Sequence, residues 1–220
     1  MPRSIGGTAA LLLVSSLSLA TAARAGELRG RVVASDGTGI AGAVVFVRTP
    51  VPPPAAAGTA ARSAIMDQVD KQFVPHVLPI AVGTEVRFPN HDQIHHHVYS
   101  FSRVKSFDLP LSKGEEAAPV LFDTPGVVKV GCNIHDWMMG VILVVPTPFF
   151  ATTDDGGAFV LHDAPTGDVT LTAWHEASET SIDDATRRVA LDEKNIPDLV
   201  FTLAVRPDRA RPATHGARNP

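Results

Sequence analysis

The stretch Gly131-Cys132-Asn133-Ile134-His135-Asp136-Trp137-Met138-Met139-Gly140 presents a thiol, an imidazole and a thioether, each three residues from the last. Cys132 is the only cysteine among 220 residues, so it has no disulfide partner within the chain. A lone thiol is either a buried core residue or one occupied by a metal or a reaction. Here its neighbours favour a metal. Thiolate and thioether are soft donors that favour Cu(I), and imidazole also serves Cu(II). A His-His-Cys set with a weak axial Met suits both oxidation states, so little has to move when one electron is exchanged. The second imidazole must come from another strand, and Asn90-His91-Asp92-Gln93-Ile94-His95-His96-His97-Val98-Tyr99 is the obvious source. A cysteine nucleophile would need a base, and His135 could serve. The nearby Met and the histidine cluster fit a metal better. There is no Gly-x-Ser-x-Gly elbow, no phosphate-binding Gly-rich loop and no obvious pair of acids for acid–base catalysis.

Strands must hold these groups. Most apolar runs are short, rich in Val, Ile, Phe and Thr, and bounded by Gly, Pro, Asp or Asn, which predicts an all-β sandwich or barrel. Val128, Val130 and Cys132 share one face of a strand, with Val127, Lys129 and Gly131 on the other. The same period of two sets His95 and His97 opposite His96. Val141 to Val145 is continuously apolar and reads as a central strand. Met138 and Met139 compete for the axial place, and adjacent residues on a turn rarely face the same way. His76 reads as a structural histidine between prolines, and Trp137 as a packing residue over the loop.

Three zones can be separated. In residues 26–50, Leu28, Gly30 and Val32 alternate before an apolar strand from Ala43 to Val47. Residues 51–62 are a Pro/Ala-rich linker with little to bury. Residues 63–146 carry the candidate ligands. In residues 147–204, Asp154-Asp155-Gly156-Gly157 predicts a hairpin turn, and Val169, Leu171 and Ala173 alternate with Thr170, Thr172 and Trp174. Residues 205–220, rich in Arg, Pro and Ala, read as a disordered tail. Neither flanking piece has enough strands to close a core alone, so 26–50 and 147–204 are expected to form one split sandwich.

Phe88-Pro89-Asn90 with His96-His97-Val98 resembles the Phe-x-Asn and His-Asn-Val element of the cupredoxins plastocyanin, pseudoazurin and amicyanin. The Cys132, His135 and Met138 spacing is similar to amicyanin's short ligand loop. The resemblance covers residues 63–146. It implies a Greek-key β-sandwich with one type 1 (blue) copper, held by His96, Cys132, His135 and Met138. It assigns the axial place to Met138 and leaves Met139 for the core. The family usually has Asn after the first ligand, tying the two ligand loops together. His97 stands there, and its ring N–H could make a similar bond. Pro75 to Pro79 also resembles copper-domain proteins labelled methylamine-utilisation proteins. The flanking pieces resemble a transthyretin-like or carboxypeptidase-regulatory-like sandwich into which, or beside which, the copper sandwich is set.

Arg3, the apolar run from Ala9 to Ala20 and Ala23-Arg24-Ala25 read as a signal peptide over residues 1–25, cleaved before Gly26. Cleavage removes Arg3 and Arg24 and takes the net charge from −4 to −6. An acidic protein with no basic run is a poor nucleic-acid binder. The combined expectation is a periplasmic, non-enzymatic electron carrier that meets a redox partner protein and has no membrane span after cleavage. Two alternatives stand beside it: copper storage or delivery through the His91 to His97 cluster, and a carbohydrate-binding-like scaffold module with an accessory copper site.

Overall fold

The computed structural model describes residues 27–48, 62–111, 117–191 and 198–206. The stretch read as a signal peptide, the stretch read as a linker as far as residue 61 and the stretch read as a tail beyond Arg206 lie outside the described residues. Strands make up all the regular structure described. They are β1 (Leu28–Ala34), β2 (Val44–Arg48), β3 (Arg62–Ile65), β4 (Asp67–Val69), β5 (Gln72–Val74), β6 (Val77–Ala81), β7 (Thr84–Arg87), β8 (His96–Phe101) and β9 (Ser106–Leu111). After these come β10 (Val120–Phe122), β11 (Gly126–Cys132), β12 (Met139–Val145), β13 (Phe150–Thr152), β14 (Ala158–Leu161), β15 (Gly167–Trp174), β16 (Thr186–Leu191) and β17 (Leu199–Leu203). The chain is all-β, as its short bounded apolar runs predict. The first strand of the central block, β3, begins at Arg62, inside the stretch read as linker, and the described chain runs past Ala204, where Val205 bridges to Ser178.

Alternating burial sorts these strands into two sandwiches. In the flanking one, the sheet β14-β1-β17 faces the sheet β13-β2-β15-β16 across a core that includes Leu28, Val32, Val45, Leu171 and Phe201. Strands before and after the central block therefore pair with one another: β1 with β14 and β17, β2 with β13 and β15. In the central one, β6-β12-β11-β8-β9 faces β10-β7-β3 across Val86, Phe88, Val98, Val128, Val130 and Ile142. A two-stranded ribbon, β4-β5, stands beside it.

The turn at Asp154–Gly157 differs from the hairpin read from its sequence. It forms, with Gly157 N–H donating to Asp154 O at 2.9 Å, but β13 before it pairs with β2 and β14 after it pairs with β1. The chain changes sheets here because Thr153 is held down. Its buried hydroxyl donates to Ile40 O at 2.6 Å and accepts Ala43 N–H at 2.9 Å.

The continuous apolar runs of β2 and β12 have a common cause. Ile142 and Val144 face the central core, while Leu143 and Val145 face Val44 and Phe46 in a third core between the sandwiches. Val45 and Val47 face the flanking core. Both strands are buried on both faces, which suppresses the usual polar alternation. Ile142→Ala and Leu143→Ala should each cost about 2–4 kcal/mol of unfolding free energy. Urea denaturation of the two variants checks this, and a loss below about 1 kcal/mol for Leu143→Ala would mean that the third core does not form.

Candidate metal centre

The antiparallel pairing of β8 with β11 sets Cys132 opposite Val98 and Gly131 opposite Tyr99. Cys132 is the last residue of β11 and His96 the first of β8, so the register brings the thiol and an inward-facing imidazole together. The loop from Asn133 to Met138 then folds back on itself. Cys132 N–H donates to Met138 O at 3.1 Å, and Met138 N–H donates to His135 O at 2.9 Å. Nδ1 of His96 and Nδ1 of His135 each lie 3.7 Å from Cys132 Sγ. The three donor atoms lie within 4.8 Å of one another.

Those separations fit a shared metal. A metal bound at about 2.0 Å to nitrogen and about 2.3 Å to sulfur, with an angle near 120°, leaves the two donors about 3.7 Å apart. Met138 is 1% exposed and packs in the same apolar cluster as Cys132. The structure thus brings His96, Cys132 and His135 to one point and buries Met138 at the return of the same loop.

Burying an imidazole requires a partner for its second nitrogen. Nε2 of His96 donates to Asp92 Oδ2 at 2.7 Å, which leaves Nδ1 as the free donor facing the thiol. Asp92 is held in turn. Its oxygens accept Asp70 N–H at 2.6 Å and Lys71 N–H at 2.8 Å, and its own N–H donates to Asn90 Oδ1. Asp70 and Lys71 form the turn of the β4-β5 hairpin, with φ of 53° and 57°. A turn with two left-handed residues is the one that matches strand twist in a two-residue hairpin. In non-glycine residues that conformation costs of order 1 kcal/mol or more each. Here it aims two adjacent N–H groups at one carboxylate. Burial opposes ionisation of Asp92, but the Lys71 N–H, His96 and the Asp70 N–H outweigh it and hold the carboxyl below its ordinary range. Burial, then the neighbouring His96 and Lys71, lower the pKa of His135, while Asp92 opposes them. A ligating imidazole must be neutral, so this shift reduces competition from protons.

The other candidates go elsewhere. His97 pairs with Asp108 across the sheet, and does not make the side-chain tie considered for it. The ligand loops are tied instead by backbone, Asn133 N–H donating to His97 O at 3.0 Å. His91 bonds Asp67 Oδ2 at 2.7 Å, and His95 is exposed. Met139, expected in the core, is 54% exposed. It starts β12 on the face opposite Gly140, beyond the edge of the third core. Trp137 is 67% exposed, with its ring 5.4 Å from that of His135. An open cleft of about 340 Å³ beside Cys132 is lined in part by Tyr99, Phe101, Lys129 and Met139. Asp92 is the functional residue that sequence reasoning passed over. A carboxylate four residues before a candidate ligand was a readable signal for the outer partner of a metal-bound imidazole.

No protein-family model matches the chain, and no curated protein matches it. Similar solved structures include a purple cupredoxin from Nitrosopumilus maritimus, with 26% identity over 38% of this chain and 98% of that one, at a TM-score of 0.33. Two amicyanin mutants, both in the reduced state, are each 25% identical. The first match covers 45% of this chain and 98% of that one, and the second 46% and 97%, both at a TM-score of 0.35.

Removing the carboxylate partner should leave the donors present but poorly oriented. Asp92→Ala is expected to lower Cu(I) affinity about 10–100-fold, read by competition with a chromogenic chelator. An unchanged affinity would remove Asp92 from the site. In the metal-free protein, an NMR pH titration should show the His135 ring losing its proton below the ordinary histidine value of 6.5.

Proposed function

We propose that the protein holds one type 1 copper at His96, Cys132, His135 and Met138 and carries single electrons between redox proteins. The observation that carries this reading is the placement of two imidazole Nδ1 atoms at 3.7 Å from one buried thiol, with a buried methionine at the end of the same short loop. Bound copper would supply the one-electron couple. The residues supply the rest. Cys132, as a thiolate, gives the strong soft bond. His96, locked by Asp92, cannot turn away when the charge changes. The loop hydrogen bonds hold His135 and Met138 in one arrangement, so electron exchange demands little motion.

His135 is half-buried, so its outer edge offers the route to solvent. Trp137 stands exposed with its ring against His135, and Ile134 and Met139 on the same loop and its return are exposed too. Small apolar contacts of this kind suit a brief encounter with a redox partner protein. The reading makes the chain a carrier and not a catalyst. Among the described residues no helix is long and apolar enough to cross a membrane. The periplasm is proposed on the signal-like residues 1–25. Copper storage has less to work with, because His91 and His97 are each paired to a carboxylate away from the thiol.

Adding Cu(II) to the mature protein should give an intense thiolate-to-copper visible band and a narrow copper hyperfine splitting by EPR. Both should vanish in Cys132→Ala. A pale, wide-splitting spectrum retained by that variant would put copper on other histidines and overturn the proposal.

A further inference from the structure

His76, just before β6, sits between two acceptors from different sandwiches. Its Nδ1 lies 3.1 Å from Met139 O, and its Nε2 lies 2.8 Å from Glu176 Oε2. A ring with one N–H serves one of these at a time, and a ring with two serves both. Met139 follows Met138 directly and opens β12. Glu176 lies in the flanking sandwich, in the loop after β15. That loop is pinned to the end of β17: Glu179 N–H donates to Ala204 O at 2.7 Å, and Arg206 N–H donates to Ala177 O at 3.0 Å. The carboxylate is therefore presented from a fixed base.

On the other side, His76 is tied to β12 a second time, with its carbonyl accepting Val141 N–H at 2.8 Å. Gly140 makes that approach possible. A Cβ there would lie 3.0 Å from Phe73 Cβ and 3.3 Å from His76 O. Ring and backbone of one residue thus grip β12 at positions 139 and 141, where the ligand loop re-enters the sheet. The apolar joint continues the contact, since Val77 follows His76 and Trp174 precedes Glu176 by two residues, and both pack on the third core.

We infer that Glu176 is a positioning residue for the ligand loop, acting from the flanking sandwich through His76 on Met139. It touches no ligand side chain. It fixes the Met139 carbonyl, and the Met138 backbone bonds to Cys132 and His135 pass that constraint to the donor set. The flanking sandwich is then a support that sets the geometry of the centre. The effect on copper rests on the electron-carrier reading, but the grip on β12 does not.

The grip is tested first in the metal-free protein by amide hydrogen exchange. The side chains of His76 and Glu176 are 28% and 36% exposed, so solvent screens the contact and the change should be local. In Glu176→Ala, the Val141 amide should exchange roughly 3- to 10-fold faster. Glu176→Gln, which keeps an acceptor oxygen, should recover part of the protection. Glu179→Ala in the same loop should leave it unchanged. An unchanged Val141 rate in Glu176→Ala overturns the inference. In the copper-loaded protein the same order of variants should appear as a shift in the thiolate-to-copper band and in the reduction potential. Faster exchange with an unmoved band would show that the grip stops at the strand and would overturn the positioning role. Failure of the wild type to give a thiolate-to-copper band overturns the copper reading alone, and the exchange result still decides whether Glu176 holds the loop.

Discussion

From Gly140 onward, strand β12 has no solvent face. Ile142 and Val144 fill the central core, and Leu143 and Val145 fill the joint with the flanking sandwich. Such a strand cannot slide by one residue, because every side chain would change cores. Its first residue is also the end of the ligand loop. The other end, Cys132, closes β11, which pairs with β12 from Gly126 to Gly131. The loop therefore spans two strands whose register is fixed. A loop anchored at both ends in this way holds its donors in a set arrangement, which a site visited by two oxidation states would require.

The polar part of the centre is solved from the inside outward. Cys132 and His96 are 3% and 1% exposed, and buried polar groups are costly when unpaired. His96 has Asp92, and Asp92 has two backbone N–H groups from a hairpin turn held in an unfavourable conformation. That small ribbon sends Phe73 into the central core, and its turn cradles one carboxylate. His135 is placed differently. Its Nδ1 faces the thiol and its ring edge meets an exposed tryptophan, so one imidazole is fixed in the interior and the other stands at the boundary with solvent.

The joint between sandwiches gives the flanking one a physical connection to this centre. It combines an apolar patch, which resists sliding, with the His76–Glu176 contact at the end nearest the ligand loop. Apolar packing fixes the distance between the two bodies, and the directional contact fixes where the loop returns.

Much of the centre was legible in the residues themselves. Spacing by threes along Gly131 to Gly140 announced a soft donor set, and a period of two assigned Val128, Val130 and Cys132 to one face and separated His96 from His95 and His97. Those signals are local, and local backbone geometry determines them. Other features depended on which segments meet. An unbroken apolar run says that a strand is covered twice but not by what, so the role of Leu143 and Val145 waited for the flanking sheet. Met139 looked like core and faces solvent, because the joint ends just short of it. The links from Asp92 to the turn at Asp70 and Lys71, and from Glu176 to His76, join residues 21 to 100 positions apart. Sequence by itself determined the donor chemistry and the strand faces, since these follow from residue type and a two-residue repeat. Only the tertiary structure decided that the turn at Asp70 and Lys71 holds Asp92 and that Glu176 meets His76, because those partners are chosen by the close approach of distant segments.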